Sequence, residues 1–249
     1  VCEAALVSEP LRIAQVAPLY ERVPPRLYGG TERVVHVLTE ELVRQGHEVT
    51  LFASGDSVTK ARLVPACERS LRLDEGCIDR LAHHMVLLEQ VFEAINRFDI
   101  IHFHIDYLHF ALSRRYGIPH VTTLHGRLDL PELVPLYREF REMPVISISN
   151  AQREPLPWLN WQGTVHHGVP EELYPFRDAP GKYLAFLGRI APEKSLDCSP
   201  SLNTLLSTPT AARSAADGHG RNAGPPAGRA RERDGRPCAR LPGRPRPPA

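Results

Sequence analysis

Leu11-Arg12-Ile13-Ala14-Gln15-Val16-Ala17 and the later run Tyr28-Gly29-Gly30-Thr31-Glu32-Arg33-Val34-Val35 decide how this chain folds. The first is a short apolar run of the kind that makes a buried strand. The second is a turn into a helix, with Thr31 as N-cap, Glu32 in the first turn, Val34, Val35, Leu38 and Leu42 on one face, and Gly46 at the end. Strand, glycine turn and amphipathic helix then repeat along the chain. Further strands are predicted at Glu48 to Ala53, Phe98 to Phe103, Pro119 to Leu124 and Pro144 to Ile148. Asp79 caps a helix whose Leu81, Met85, Leu88, Phe92 and Ile95 recur at helical spacing and form one core-facing stripe. This alternation predicts an α/β domain, a Rossmann-like parallel sheet with helices on both faces.

A last short strand is expected around Gly163 to Val169, followed by Pro170, Pro175 and Pro180, which suit a linker. Tyr183 to Leu187 reads as the opening strand of a second domain and ends at Gly188. The expected organisation is a Rossmann-like domain over 1–170, a linker and vestigial second domain over 171–194, and a tail over 195–249. From Ser195 onward there is no Val, Ile, Phe, Tyr, Trp, Met or Lys, and beyond Ala211 mostly Arg, Ala, Gly and Pro remain. These four residue types are encoded by all-G/C codons. A GC-rich gene read out of frame after Lys194 is therefore expected, with a tail too poor in apolar residues to fold.

The chain has 249 residues and a formal charge of +1. That near-neutrality hides a basic tail, with about five net positive charges, on a mildly acidic body. The tail lacks aromatic residues for base stacking, so no nucleic-acid partner is expected. Cys2, Cys67, Cys77, Cys198 and Cys238 are odd in number and show no C-x-x-C spacing, which fits a reducing, cytoplasmic setting better than a disulfide framework. No apolar stretch reaches the roughly 18 residues needed to span a bilayer, leaving at most peripheral membrane contact.

Four places bear chemistry. The Gly29-Gly30-Thr31 loop lies at the carboxyl end of the sheet, where open α/β folds bind ligands, and its helix N-terminus favours a phosphate or carboxylate. An ordinary tight turn has the same pattern, and the Gly-x-Gly-x-x-Gly spacing of a nicotinamide site is missing. Thr122-Thr123-Leu124-His125-Gly126 brings an imidazole to the same edge, able to donate to a sugar hydroxyl or a phosphoryl oxygen, or simply to serve the core. His102, His104 and Asp106 resemble a metal cluster but lack the further ligand that zinc requires, so His104 and Asp106 fit a sugar pocket better and no metal is expected. Finally, Arg189 and Lys194 follow the second domain's first strand and could neutralise a diphosphate, or could form a solvated basic loop.

Ile13-Ala14-Gln15-Val16-Ala17-Pro18, Gly29-Gly30-Thr31-Glu32, Gly46-His47-Glu48-Val49-Thr50-Leu51-Phe52, Phe98-Asp99-Ile100-Ile101-His102, Leu124-His125-Gly126, His167-Gly168-Val169 and Gly188-Arg189 with Glu193-Lys194 occur in this order. Together they resemble the retaining glycosyltransferases of family 4, of GT-B fold, and within it the bacterial branch similar to avilamycin-type transferases. The resemblance runs from about Arg12 to Lys194. It implies that Gly29 and Gly30 line the acceptor and phosphate side of a cleft and that His125, with Gly126 beside it, is the catalytic-site histidine next to the transferred sugar. It also implies that Arg189 and Lys194 hold the donor diphosphate with no metal or other cofactor.

The implied partners are a nucleotide sugar and a saccharide, lipid or small-molecule acceptor. The family's nucleotide contacts and its glutamate pair lie in the second domain, and the sequence after Lys194 departs from that pattern. Slow or absent transfer is the resulting expectation. The alternatives are a Rossmann-like module that binds a sugar or phosphate without catalysis, and a product of a broken gene without function.

Overall fold

The computed structural model describes residues 9–72, 74–168 and 170, all within the unit Val1–Pro180. Seven strands form one parallel sheet: β1 (Arg12–Val16), β2 (Glu48–Ser54), β3 (Arg62–Cys67), β4 (Ile100–Phe103), β5 (His120–Thr123), β6 (Val145–Ser147) and β7 (Trp161–Thr164), in the order β3-β2-β1-β4-β5-β6-β7. Among the described residues, five α-helices lie between them: α1 (Gly30–Arg44), α2 (Arg80–Glu93), α3 (Phe110–Tyr116), α4 (Leu133–Glu139) and α5 (Asn150–Arg153). The expected Rossmann-like α/β architecture is the one found. The expected strand Tyr183 to Leu187, the linker prolines Pro175 and Pro180, and the 195–249 tail lie outside the described residues.

Both faces of the sheet are buried, which is why its strands read as continuous apolar runs. Ala14, Val16, Phe52, Ile101 and Phe103 pack on one face against Leu87, Leu88, Val91 and Phe92 of α2. Val35 of α1 covers Ala17, Leu51 and Ala53 on the other. A third cluster of Phe110, Leu124, Tyr137, Val145 and Leu156 closes the β5–β6 side. Each large apolar side chain so buried contributes about 1.5–3 kcal/mol.

Four details depart from the sequence reading. The N-cap of α1 is Gly29, at φ 139°, and no side chain caps the helix, so Thr31 sits inside the first turn rather than before it. Gly46 does end the helix, at φ 91°. In α2, Asp79 caps as expected, accepting from the backbone N–H of Leu81 and Ala82. The buried stripe, however, is His84, Leu87, Leu88, Val91 and Phe92, while Leu81 and Met85 are 54% and 52% exposed. The helix carries apolar residues on two stripes, and His84 fixes which one faces inward: its ring accepts from the Leu19 N–H and meets the Arg80 carbonyl.

Strand β3 has no counterpart in the sequence reading. Parallel neighbours normally need a helical crossover of a dozen residues, and only residues 55–61 join β2 to β3. The short return works because Gly55 lies against the β3 end, where a Cβ would meet the Glu68 carbonyl oxygen at 2.7 Å. Pro65 is tolerated because β3 is an edge strand. The last strand, expected around Gly163 to Val169, runs instead from Trp161 to Thr164, as its one neighbour among the described residues, β6, is three residues long.

Candidate active site at the carboxyl edge of the sheet

The strand order reverses between β1 and β4. In open parallel sheets the crevice outside such a reversal, at the carboxyl ends of the strands, is where ligands bind. The loop after β1 and the loops after β4 and β5 all open there. They carry Gly29, Gly30 and Thr31, then His104 and Asp106, then His125 and Gly126.

Gly29 is required by the backbone itself: a Cβ there would lie 2.8 Å from Pro25 Cβ, and φ is in the region that favours glycine. Gly30 is different, with open space where a Cβ would stand. Glu32, behind them in α1, is buried, and burial pushes its carboxyl upward against the pull of backbone N–H groups of Glu32 and Glu21. Glu21 pairs with Arg72 at 2.5 Å, and the Arg72 guanidinium lies 4.7 Å over the Tyr28 ring.

The centre of the edge is a chain of imidazoles. Gln15, fully buried on β1, is the register partner of His102 on β4. Its amide reaches His102 Nδ1 at 3.5 Å and His104 Nε2 at 2.9 Å. The other nitrogen of His102 meets Thr123 Oγ1 at 2.8 Å, and His104 Nδ1 meets His125 Nε2 at 2.9 Å. The His102 and His104 rings lie 4.1 Å apart, and the His167 ring 5.2 Å from that of His125. Burial holds all of them neutral: His102 falls to about 4, His125 to about 3, and His104 well below the ordinary value. His125 Nδ1 is buried and has no hydrogen-bond partner among the described residues.

Asp106 supports the same loop from below. It sits at φ 50°, unusual for a residue other than glycine, and desolvation shifts its half-buried carboxyl upward, although the His125 backbone N–H counters the shift. On the other side Gln152 donates to the carbonyls of Leu124 and Gly126, at 2.9 and 2.7 Å, and accepts from the Ile148 N–H. His125 is thus clamped through its backbone from both directions.

The structure brings His104, Asp106 and His125 into one network and sets the Gly29-Gly30-Thr31 loop on the same edge. Arg189 and Lys194 lie outside the described residues. Among the described residues, no three His, Cys, Asp or Glu side chains are grouped to hold a metal ion, and no helix is long and apolar enough to cross a membrane. Gln15 and Gln152 were missed as functional residues by sequence reasoning. A polar residue inside an otherwise apolar parallel strand was the available signal for Gln15. A cavity of about 680 Å³ lined by Arg12, Glu48 and Thr50 opens at the amino end of the strands and has no part in this site.

Residues 28–161, more than half of the chain, match the family model described as Glycosyltransferase Family 4. No curated protein matches the chain in sequence. Among solved structures, sucrose-phosphate synthase from Thermosynechococcus elongatus is 15% identical, with a TM-score of 0.55, the match covering 82% of this chain and 61% of that one. HepE from Anabaena, solved in complex with UDP and glucose, is also 15% identical, with a TM-score of 0.51 and coverage of 82% and 60%. A glycosyltransferase involved in avilamycin A biosynthesis is 23% identical, with a TM-score of 0.48 and coverage of 75% and 52%. The matches thus span about half to three fifths of the length of these structures.

Proposed function

The chain belongs to glycosyltransferase family 4, and from that premise we propose that it moves a sugar from a nucleotide-sugar donor to an acceptor with retention at the anomeric carbon. The observation that carries this is His125: a neutral imidazole, clamped at the reversal edge, with one nitrogen buried and unpartnered. His109, which serves the core at the same end of the sheet, has both ring nitrogens engaged. His125 is proposed to lie beside the transferred sugar, with His104 and Asp106 shaping the pocket around it. Gly30, free of side-chain neighbours, and Gly29 leave room for the phosphate and acceptor side.

As the glycosidic bond breaks, negative charge grows on the departing nucleoside diphosphate. Arg189 and Lys194 are proposed to meet that charge, so that fixed cations lower the barrier with no bound metal. The acceptor is proposed to be a saccharide, a lipid or a small molecule. The HepE complex makes UDP-sugars the first donors to try. The composition after Lys194, poor in the residues of a packed lobe, favours a second reading in which donor is bound but turned over slowly or not at all.

Isothermal titration of the full chain with UDP-, GDP- and ADP-sugars tests both readings. Binding of one donor, weakened in His125→Ala, is the expected result, and sugar release or transfer measured alongside separates enzyme from binding module. A chain that binds none of the three defeats both. Turnover unchanged by EDTA is expected, and its loss would overturn the metal-free reading.

A further inference from the structure

We propose that Gln15 is a positioning residue: acting through His104, it holds His125 in the tautomer with hydrogen on Nε2 and a bare lone pair on Nδ1. A glutamine side chain is asymmetric, with an oxygen that only accepts and a nitrogen that only donates. The Gln15 oxygen lies 2.9 Å from His104 Nε2, so that nitrogen carries hydrogen. Neutral His104 has just one ring hydrogen, which leaves its Nδ1 bare to accept from His125 Nε2 at 2.9 Å. His125 then has its single hydrogen committed, and Nδ1 is left as an acceptor.

The same amide sets the other branch. Its nitrogen faces His102 Nδ1, which leaves His102 to donate from Nε2 to the Thr123 hydroxyl. One buried amide therefore fixes three rings, and turning it over would reverse all of them. The reversed state would place an N–H on His125 Nδ1, buried without an acceptor, and an orphaned buried N–H is among the rarest groups in folded proteins. Gln15 is itself fully buried and bridges neighbouring strands, so its orientation is set by the sheet rather than by solvent.

The consequence concerns which ligand group His125 meets. A bare Nδ1 accepts a hydroxyl hydrogen and disfavours a phosphoryl oxygen, which has no hydrogen to give. The choice between sugar hydroxyl and phosphate, open at the level of sequence, falls to the hydroxyl. This ligand assignment rests on the glycosyltransferase reading; the ring states do not.

The test is long-range proton–nitrogen correlation spectroscopy of the full chain, labelled with ¹⁵N-histidine, near neutral pH. His104 and His125 are each expected to carry hydrogen on Nε2 alone. Hydrogen on His125 Nδ1, or an average of both forms, overturns the proposal without any variant being made. In Gln15→Met, which removes acceptor and donor together, the tautomer ratio of His125 is expected to fall about tenfold, the scale of one lost hydrogen bond. His109, bonded to Ser113 and Thr122 instead, keeps its spectrum and reports that the fold is intact. An unchanged His125 beside an unchanged His109 overturns the role of Gln15. Intact ring states in a chain that binds no nucleotide sugar would support the positioning role and remove the glycosyltransferase reading alone.

Discussion

His109 and His125 stand at the same end of the sheet, His109 fully buried and His125 half-buried, and desolvation holds both imidazoles neutral. His109 meets Ser113 Oγ at 2.7 Å and Thr122 Oγ1 at 2.8 Å, and its ring stacks on Phe103 with centroids 3.6 Å apart and planes within 8°. Both of its ring nitrogens are engaged inside the protein. His125 engages one nitrogen with His104 and leaves the other bare. Burial and a lowered proton affinity do not separate a structural histidine from one that meets a ligand, because both have them. What separates these two is the open valence at the reversal edge.

Acid tests what the two histidines share, and its effect is the largest expected. Above pH 6.5, folded and unfolded chains both carry these imidazoles neutral. Between about 6.5 and 4 the unfolded chain takes up protons that buried His102, His104, His109 and His125 refuse, so stability falls as pH falls. Each such group costs up to about 2 kcal/mol at pH 5. Glu32 and Asp106, raised by burial, work in the opposite sense: their contribution is present at low pH and fades as pH rises through their folded values. Two carboxyls against four imidazoles weaken the trend without reversing it. Thermal melts from pH 7.5 to 5 should show a steady decline in Tm; a flat profile would mean that these rings are hydrated and that the comparison has no basis.

Substitution then splits the pair. His109→Ala strands two buried hydroxyls and removes a stacked ring, for an expected loss of about 4 kcal/mol in denaturant unfolding. His125→Ala strands only one nitrogen of His104 and should cost about 1 kcal/mol. Donor binding or transfer should respond the other way, falling about a hundredfold in His125→Ala and, in His109→Ala, only as far as the folded fraction falls. Equal losses of stability in the two variants would erase the distinction between closed and open valence.

Much of this was legible in the sequence because the parallel sheet writes its chemistry at predictable places. His104, Asp106 and His125 each follow a short apolar run, and a residue just past such a run lies at the carboxyl edge. The connections of β3 and the inward face of α2 were not legible. The first breaks the crossover rule through a close approach at Gly55, and the second depends on the hydrogen bond that the Leu19 N–H gives His84 from far away in sequence. The same holds for Gln152, whose three bonds to the backbone around His125 and to Ile148 appear only when β5 and β6 lie side by side. Local pattern locates a residue at an edge, whereas the partners that give it a role come from other strands.

The smallest effects sharpen the comparison most finely. Ser113→Ala removes one of the two partners of His109 and leaves the bond to Thr122, so it should cost about 1 kcal/mol and leave ligand binding untouched. Thr123→Val removes the hydroxyl that receives His102, at the far end of the chain from His125, and should cost a similar amount. Their effects on the sheet edge differ. In the His109 pocket a lost bond ends at the pocket, since both its partners are side chains of α3 and β5 with no outlet to the edge. In the His102 chain, loss of the Thr123 acceptor weakens the preference of His102 for donating from Nε2, and with it part of the hold on the Gln15 amide. A small drop in donor affinity, about twofold to threefold by titration, is therefore expected in Thr123→Val and none in Ser113→Ala. Matched unfolding energies with unmatched affinities would place the open valence of His125 at the end of a connected network, and matched affinities would reduce that network to a set of independent bonds.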